Sequence, residues 1–257
     1  MASIPLMEDI EMGEEKSIED DFAYRNNVHQ ASTRIRLGFL RKVYSLLFCQ
    51  LLLTTIFGIV MMSVPQCKLF VHNNDWLVLV GFFLSIITLL ALHVKRKETP
   101  TNFILLAIFT VVQAYSVGVI VTFFDKMVVL EAFIITVTVV AGLTIFTFQT
   151  DRDFSSLDMT GNNNNNNSLF VFVSRLFASV CLLIVGGLLQ IFFTNTIFEI
   201  VISLAGALVF SLFIIYDTQN IMKRVSPEEY VSATIELYLD IVNLFIYILR
   251  IIDAMRK

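Results

Sequence analysis

Charge is scarce in this chain. Only 16% of its 257 residues are Asp, Glu, Lys or Arg, where a soluble domain carries about a quarter. Hydrophobic residues make up 56%, and the mean hydropathy is +0.77. The medium around most of this chain is therefore lipid. The three cysteines, Cys49, Cys67 and Cys181, have neither paired nor metal-like spacing, which leaves no disulfide framework and the redox compartment open. Cys49 and Cys181 lie in apolar runs and are expected in the core. Three histidines make no His-rich metal cluster, and a net charge of −4 favours no nucleic-acid partner. No glycine-rich phosphate loop with a lysine and no Ser/His hydrolase pattern occurs. An acidic, polar N-terminus does not read as a cleavable signal peptide, so the first apolar run is expected to act as an uncleaved anchor. No enzymatic activity is expected.

What is present is long apolar runs: 43–64, 76–94, 103–124, 127–148, 169–193 and 197–216. Each is long enough for a helix across roughly 30 Å of hydrocarbon. Helices are the expected form, because backbone groups in lipid must be satisfied within the segment. A seventh run, 234–252, is long enough but more polar, and either spans or re-enters. Residues 1–21 hold eight acids against Lys16 and read as a solvated, disordered tail. Residues 25–42 turn basic and border the first span, where anionic headgroups would hold them. The domain division is thus 1–40 as tail and juxtamembrane segment and 41–257 as the membrane domain. The Asn tract 161–168 reads as a linker whose Asn166-Asn167-Ser168 sequon can report topology. With the N-terminus in the cytosol, twelve loop Lys and Arg residues fall inside and only Lys68 and Lys126 outside.

The last run carries the chemistry. Glu236, Asp240, Asn243, Tyr247 and Arg250 recur every three or four residues and form one helical stripe. That seam faces either a cavity within the bundle, as costly buried charge normally does, or the surface of the bilayer. Run six ends in FSLFIIYDTQNI, with Asp217 in its last turns. Counted from the SPEEY turn between the runs, Asp217 and Asp240 are equidistant, which sets them level near the cytosolic side of two antiparallel helices. Two carboxyl groups at low dielectric share a proton and titrate as a pair. Protonated, they clasp two helices together; deprotonated, they repel and become hard ligands for Ca2+. Asp217 and Asp240 are therefore the candidate pH sensor, gate and Ca2+ site. Arg175 is a candidate counter-ion or a snorkelling residue. Glu131 and Glu199 lie near the opposite face, as vestibule or interfacial residues, and His93 ends run two.

Several stretches together resemble the transmembrane BAX inhibitor motif family, from about residue 30 to the end. They are LYLDIVNLFIYILRI (237–251), SLFIIYDTQNIM (211–222) and VLEAFIITVTVVAGLTIF (129–146). PTNFILLAIFT (100–110) and TFQTDRDFS (147–155) resemble its lifeguard branch. The resemblance implies an all-α bundle of seven transmembrane helices with the last one central. It also implies a pH-sensitive Ca2+ leak gated by an aspartate pair, here Asp217 and Asp240, and restraint of cell death. Lys95 and Arg96 are the candidates for a basic latch on the sixth-helix aspartate, and Glu131, Glu236 and Asn243 are candidate pore-lining residues. Expected partners are the lipid bilayer, Ca2+, protons and other membrane proteins of cell-death pathways. Endoplasmic reticulum, Golgi or other endomembranes are the expected compartment, with the plasma membrane as the alternative. No cofactor is expected beyond Ca2+ as a permeant or transiently bound ion. A non-conducting regulator and a cation/proton exchanger are the competing functions. An intramembrane aspartyl protease is disfavoured: Asp240 sits in Leu-Tyr-Leu-Asp, not Gly-x-Gly-Asp, and no proline follows it to begin a Pro-Ala-Leu motif.

Overall fold

A computed structural model describes residues 33–74, 76–95, 98–150, 181, 184–187, 195–223, 225 and 229–257, without the side chains of 33–36, 78, 93 and 223. The acidic tail, the Asn tract, Arg96, Arg175 and most of the run 169–193 lie outside the described residues, as does the His93 side chain. The described residues are all-helical. Helix α1 is Thr33–Ser63, α2 Pro65–Asn73, α3 Trp76–Lys95, α4 Thr101–Val121, α5 Lys126–Gln149, α6 Thr196–Lys223 and α7 Tyr230–Arg256. Four are long and apolar enough to cross a membrane: Leu37–Ser63, Thr101–Val121, Lys126–Gln149 and Thr196–Met222. Helix α3 adds the shorter apolar stretch Leu79–Leu92.

Local chemistry suits a medium without water. The hydroxyls of Thr54, Thr110, Thr136, Thr147 and Thr234 each donate to the carbonyl four residues back, at 2.6–2.9 Å. A helix in lipid has few other partners for such groups. Burial is inverted relative to a soluble protein. Phe48, Phe83, Leu90 and Leu208 face outward with 60–67% of their surface exposed, whereas Gln50, Thr110 and Asp240 are 3–7% exposed. Cys49 and Cys181 are on the outside too, contrary to the expectation from their apolar surroundings. In a protein solvated by lipid, an apolar neighbourhood in sequence does not imply the core.

Helix α7 packs against α6, α5, α1 and α4. Around its middle, Leu237, Tyr238, Asp240, Ile241 and Val242 are all buried. At 100° per residue these positions cover a little over half of the circumference, and the remaining arc carries Glu236, which is exposed, with Leu239 and Asn243, which are half-buried. The end of α7 lies against the starts of α5 and α6. Arg256 Nη2 is 2.6 Å from Glu131 Oε1, and Lys257 Nζ is 2.8 Å from Asp253 Oδ2 and 4.0 Å from Glu199 Oε2. The hydrogen bond to Asp253 holds the Lys257 ammonium above its ordinary pKa. Acidic partners thus accompany the basic residues that end the chain.

The sequence reading treated 65–75 as a loop. Helix α2 forms there because Pro65 supplies a preset φ at its first position. It buries Val71 and leaves Leu69 and Phe70 about 60% exposed, next to the outward-facing Trp76 of α3. Trp76, the chain's one tryptophan, is positioned as an interfacial anchor. Its fluorescence in liposomes is expected to be quenched more strongly by bromine near the headgroups than by bromine deep in the acyl chains. The reverse order would place α2 elsewhere.

Candidate functional site

Along α6, which packs against α7, Ile214, Asp217, Thr218 and Ile221 recur at helical spacing and are all buried. Asp217 is 9% exposed and Asp240 7%. Their carboxyl groups lie side by side, near enough for each to act on the other. Two carboxyl groups this near can be joined by a hydrogen bond only if one of them carries the proton. The second Asp240 oxygen, Oδ2, is buried with no partner, an uncommon state for a buried polar atom. Glu236, one turn earlier on α7, is exposed and close enough for its charge to act on both aspartates. Ser232 donates to it at 3.4 Å. It also borders a groove of about 300 Å³ between α3 and α7, otherwise lined mainly by leucines and branched aliphatics.

The other candidates divide. Asn243 follows Asp240 by one turn and donates to the Leu239 carbonyl of its own helix at 2.8 Å. Lys95 pairs with Glu98, its ammonium 2.7 and 2.8 Å from the two carboxylate oxygens. Glu131 pairs with Arg256 at the far end of the bundle. Arg96 and Arg175 are outside the described residues. Among the described residues no three His, Cys, Asp or Glu side chains converge into a metal-binding group. Asp217 and Asp240 are thus two carboxyl donors where Ca2+ takes six to eight oxygens, and an ion reaching them would keep much of its water.

A second buried polar group escaped the sequence reading. On the opposite side of α7, the Tyr238 hydroxyl is 2.8 Å from Thr54 Oγ1. One turn away on α1, Gln50 Nε2 donates to Thr110 Oγ1 of α4 at 2.9 Å. Tyr238 also meets Phe109 of α4 edge-on, with centroids 6.3 Å apart. The available signal was Gln50, a lone amide in an apolar run. The Tyr44 hydroxyl on α1 faces Thr218 on α6 without closing a well-formed hydrogen bond.

Taken together, this is a polytopic helical membrane protein with two buried aspartates on its last two described helices. Comparison with known proteins gives the particular family. Residues 36–257 match the family described as Inhibitor of apoptosis-promoting Bax1. The chain is 42% identical to Protein lifeguard 4 of Mus musculus over 241 residues, 94% of this chain and 95% of the relative. The Golgi anti-apoptotic protein of Vaccinia virus (strain Lister) has the same identity and coverage. Bax inhibitor 1 of Schizosaccharomyces pombe (strain 972 / ATCC 24843) is 35% identical over 248 residues, 96% of this chain and 88% of the relative. The chain belongs to the Bax inhibitor family, with its lifeguard members among the relatives.

Proposed function

We propose that this protein is a pH-sensitive Ca2+ leak channel of an endomembrane, with Asp217 and Asp240 as sensor and gate, and that it restrains cell death. The observation that carries the reading is the buried contact between the two carboxyl groups on the last two described helices. Its chemistry has two states. With the shared proton in place, the pair ties α6 to α7. Without it, two adjacent negative charges repel and present hard oxygens to a divalent cation. Ca2+ and protons are the ions, and Glu236 and Asn243 on the same stripe are the pore-lining candidates. Anti-apoptotic naming of relatives, with a Golgi label on one, supports cell-death restraint and an endomembrane location. Association with other membrane proteins of cell-death pathways belongs to the same proposal. Ca2+ entry into liposomes containing the purified protein, followed from about pH 5 to about pH 8, tests it. Absence of flux in folded protein would sink the channel and leave a non-conducting regulator. Flux that drives counter-movement of protons would indicate an exchanger.

The proposed topology is seven spans with α7 central and the N-terminus in the cytosol. The ion pairs from Arg256 and Lys257 to Glu131 and Glu199 support a last helix that crosses completely, because those acids begin α5 and α6. A tag fused after Lys257 is expected to be reached from the same face as one inserted between α4 and α5. Access from opposite faces would restore the re-entrant alternative.

A further inference from the structure

Between the aspartate pair and the charged end of α7 lies an aromatic layer. Tyr247 follows Asp240 by seven residues, about 10 Å along the helix, on the same stripe. Its ring stacks on Phe210 of α6 with centroids 5.7 Å apart and 23° between planes. The ring also covers Gly206, where a Cβ would lie 2.5–2.6 Å from three ring carbons. No other residue type leaves room for the ring in this position. Glycine inside a helix costs up to about 1 kcal/mol relative to alanine, and the close approach of the ring offsets it. On the far side, Arg250 is near enough to act electrostatically on Tyr247. Ser203 is buried there with its hydroxyl unpartnered. The seam between α6 and α7 is therefore polar at Asp217 and Asp240, apolar at Phe210 and Tyr247, and polar again beyond.

We propose that Tyr247, seated on Gly206 and Phe210, is the barrier residue that shuts the α6–α7 seam between the aspartate pair and the Glu199 end. The proposal rests on the reading of Asp217 and Asp240 as the centre of an ion path and adds where that path is closed. A hydrated cation loses its water ligands at an aromatic constriction and gains none, so the ring need only stay seated to block it. Gly206 is the positioning residue: it acts through the ring.

The test separates the barrier from the channel. Asn243→Cys is placed in protein whose three native cysteines are serine, and a charged, membrane-impermeant methanethiosulfonate is added from the side of the α7 C-terminus. With Tyr247 present, labelling is expected to be slow. Tyr247→Ala is expected to speed it roughly tenfold, about 1.4 kcal/mol of barrier. Gly206→Ala, which pushes the ring off α6, is expected to act in the same direction and to add nothing to Tyr247→Ala. Tyr247→Phe keeps the ring seated and is expected to stay slow. Ca2+ flux, measured with Asn243 intact, should rise in Tyr247→Ala and Gly206→Ala. Labelling that is equally fast with and without the ring would overturn the barrier. Labelling that opens as expected while no variant carries Ca2+ would keep the barrier and remove the Ca2+ leak.

Discussion

Asp217→Asn and Asp240→Asn are each expected to flatten the pH dependence of Ca2+ flux. In the wild type, flux should rise by roughly tenfold or more between about pH 5 and about pH 8, as the pair loses its shared proton. The sign follows from the contact itself. At low pH the proton is present, the hydrogen bond joins α6 to α7, and the path is closed. As pH rises the proton leaves, the clasp and its contribution to stability are lost together, and repulsion parts the helices. An asparagine on either side is neutral at every pH and can still donate to the remaining carboxyl group. Each single variant should therefore hold a pH-independent flux. Among the described residues, Glu236 is the further titratable group that acts on both aspartates, and Lys95 is paired with Glu98. Glu236→Gln should shift the midpoint and keep the response. A pH response that survives in either aspartate variant would assign the sensor elsewhere.

Tyr238→Ala is expected to be among the most destabilising single substitutions in the chain. Among the described residues, Tyr238 is the largest of the fully buried side chains. It joins α7 to α1 through Thr54 and to α4 through Phe109. Removing a large buried aromatic costs about 3–5 kcal/mol. Tyr238→Phe keeps the ring and loses only the hydrogen bond, which between membrane helices averages about 0.6 kcal/mol. Unfolding of the purified protein in mixed micelles should separate the two variants by several-fold in free energy. Nearly equal effects would mean that the hydroxyl, not the ring, holds α7 in place.

These two expectations sit on opposite sides of α7, and they differ in how legible they were. The aspartate contact was readable because each acid interrupts an apolar helix and both are equidistant from one turn. Antiparallel geometry converts that symmetry into equal depth. Tyr238 gave no such sign, since tyrosine is ordinary in an apolar segment and its partners are more than 100 residues away. Lys95 illustrates the converse. The family resemblance made it a candidate latch on an aspartate, but here its ammonium meets Glu98, three residues on, at 2.7 Å.

By itself, the sequence determined the medium, the helical class and the apolar runs, because composition and span length answer directly to a bilayer about 30 Å thick. It also determined which polar residues share a stripe on the last helix, since that depends only on 3.6 residues per turn. Only the tertiary structure decided what that stripe meets: Asp217 at one level, Phe210 and Gly206 at another, and Glu131 and Glu199 beside the last turn. Only the fold, likewise, could turn Cys49 outward and Gln50 inward. In lipid the hydrophobic effect does not sort neighbouring residues into core and surface, so packing and polar pairing between helices make that choice.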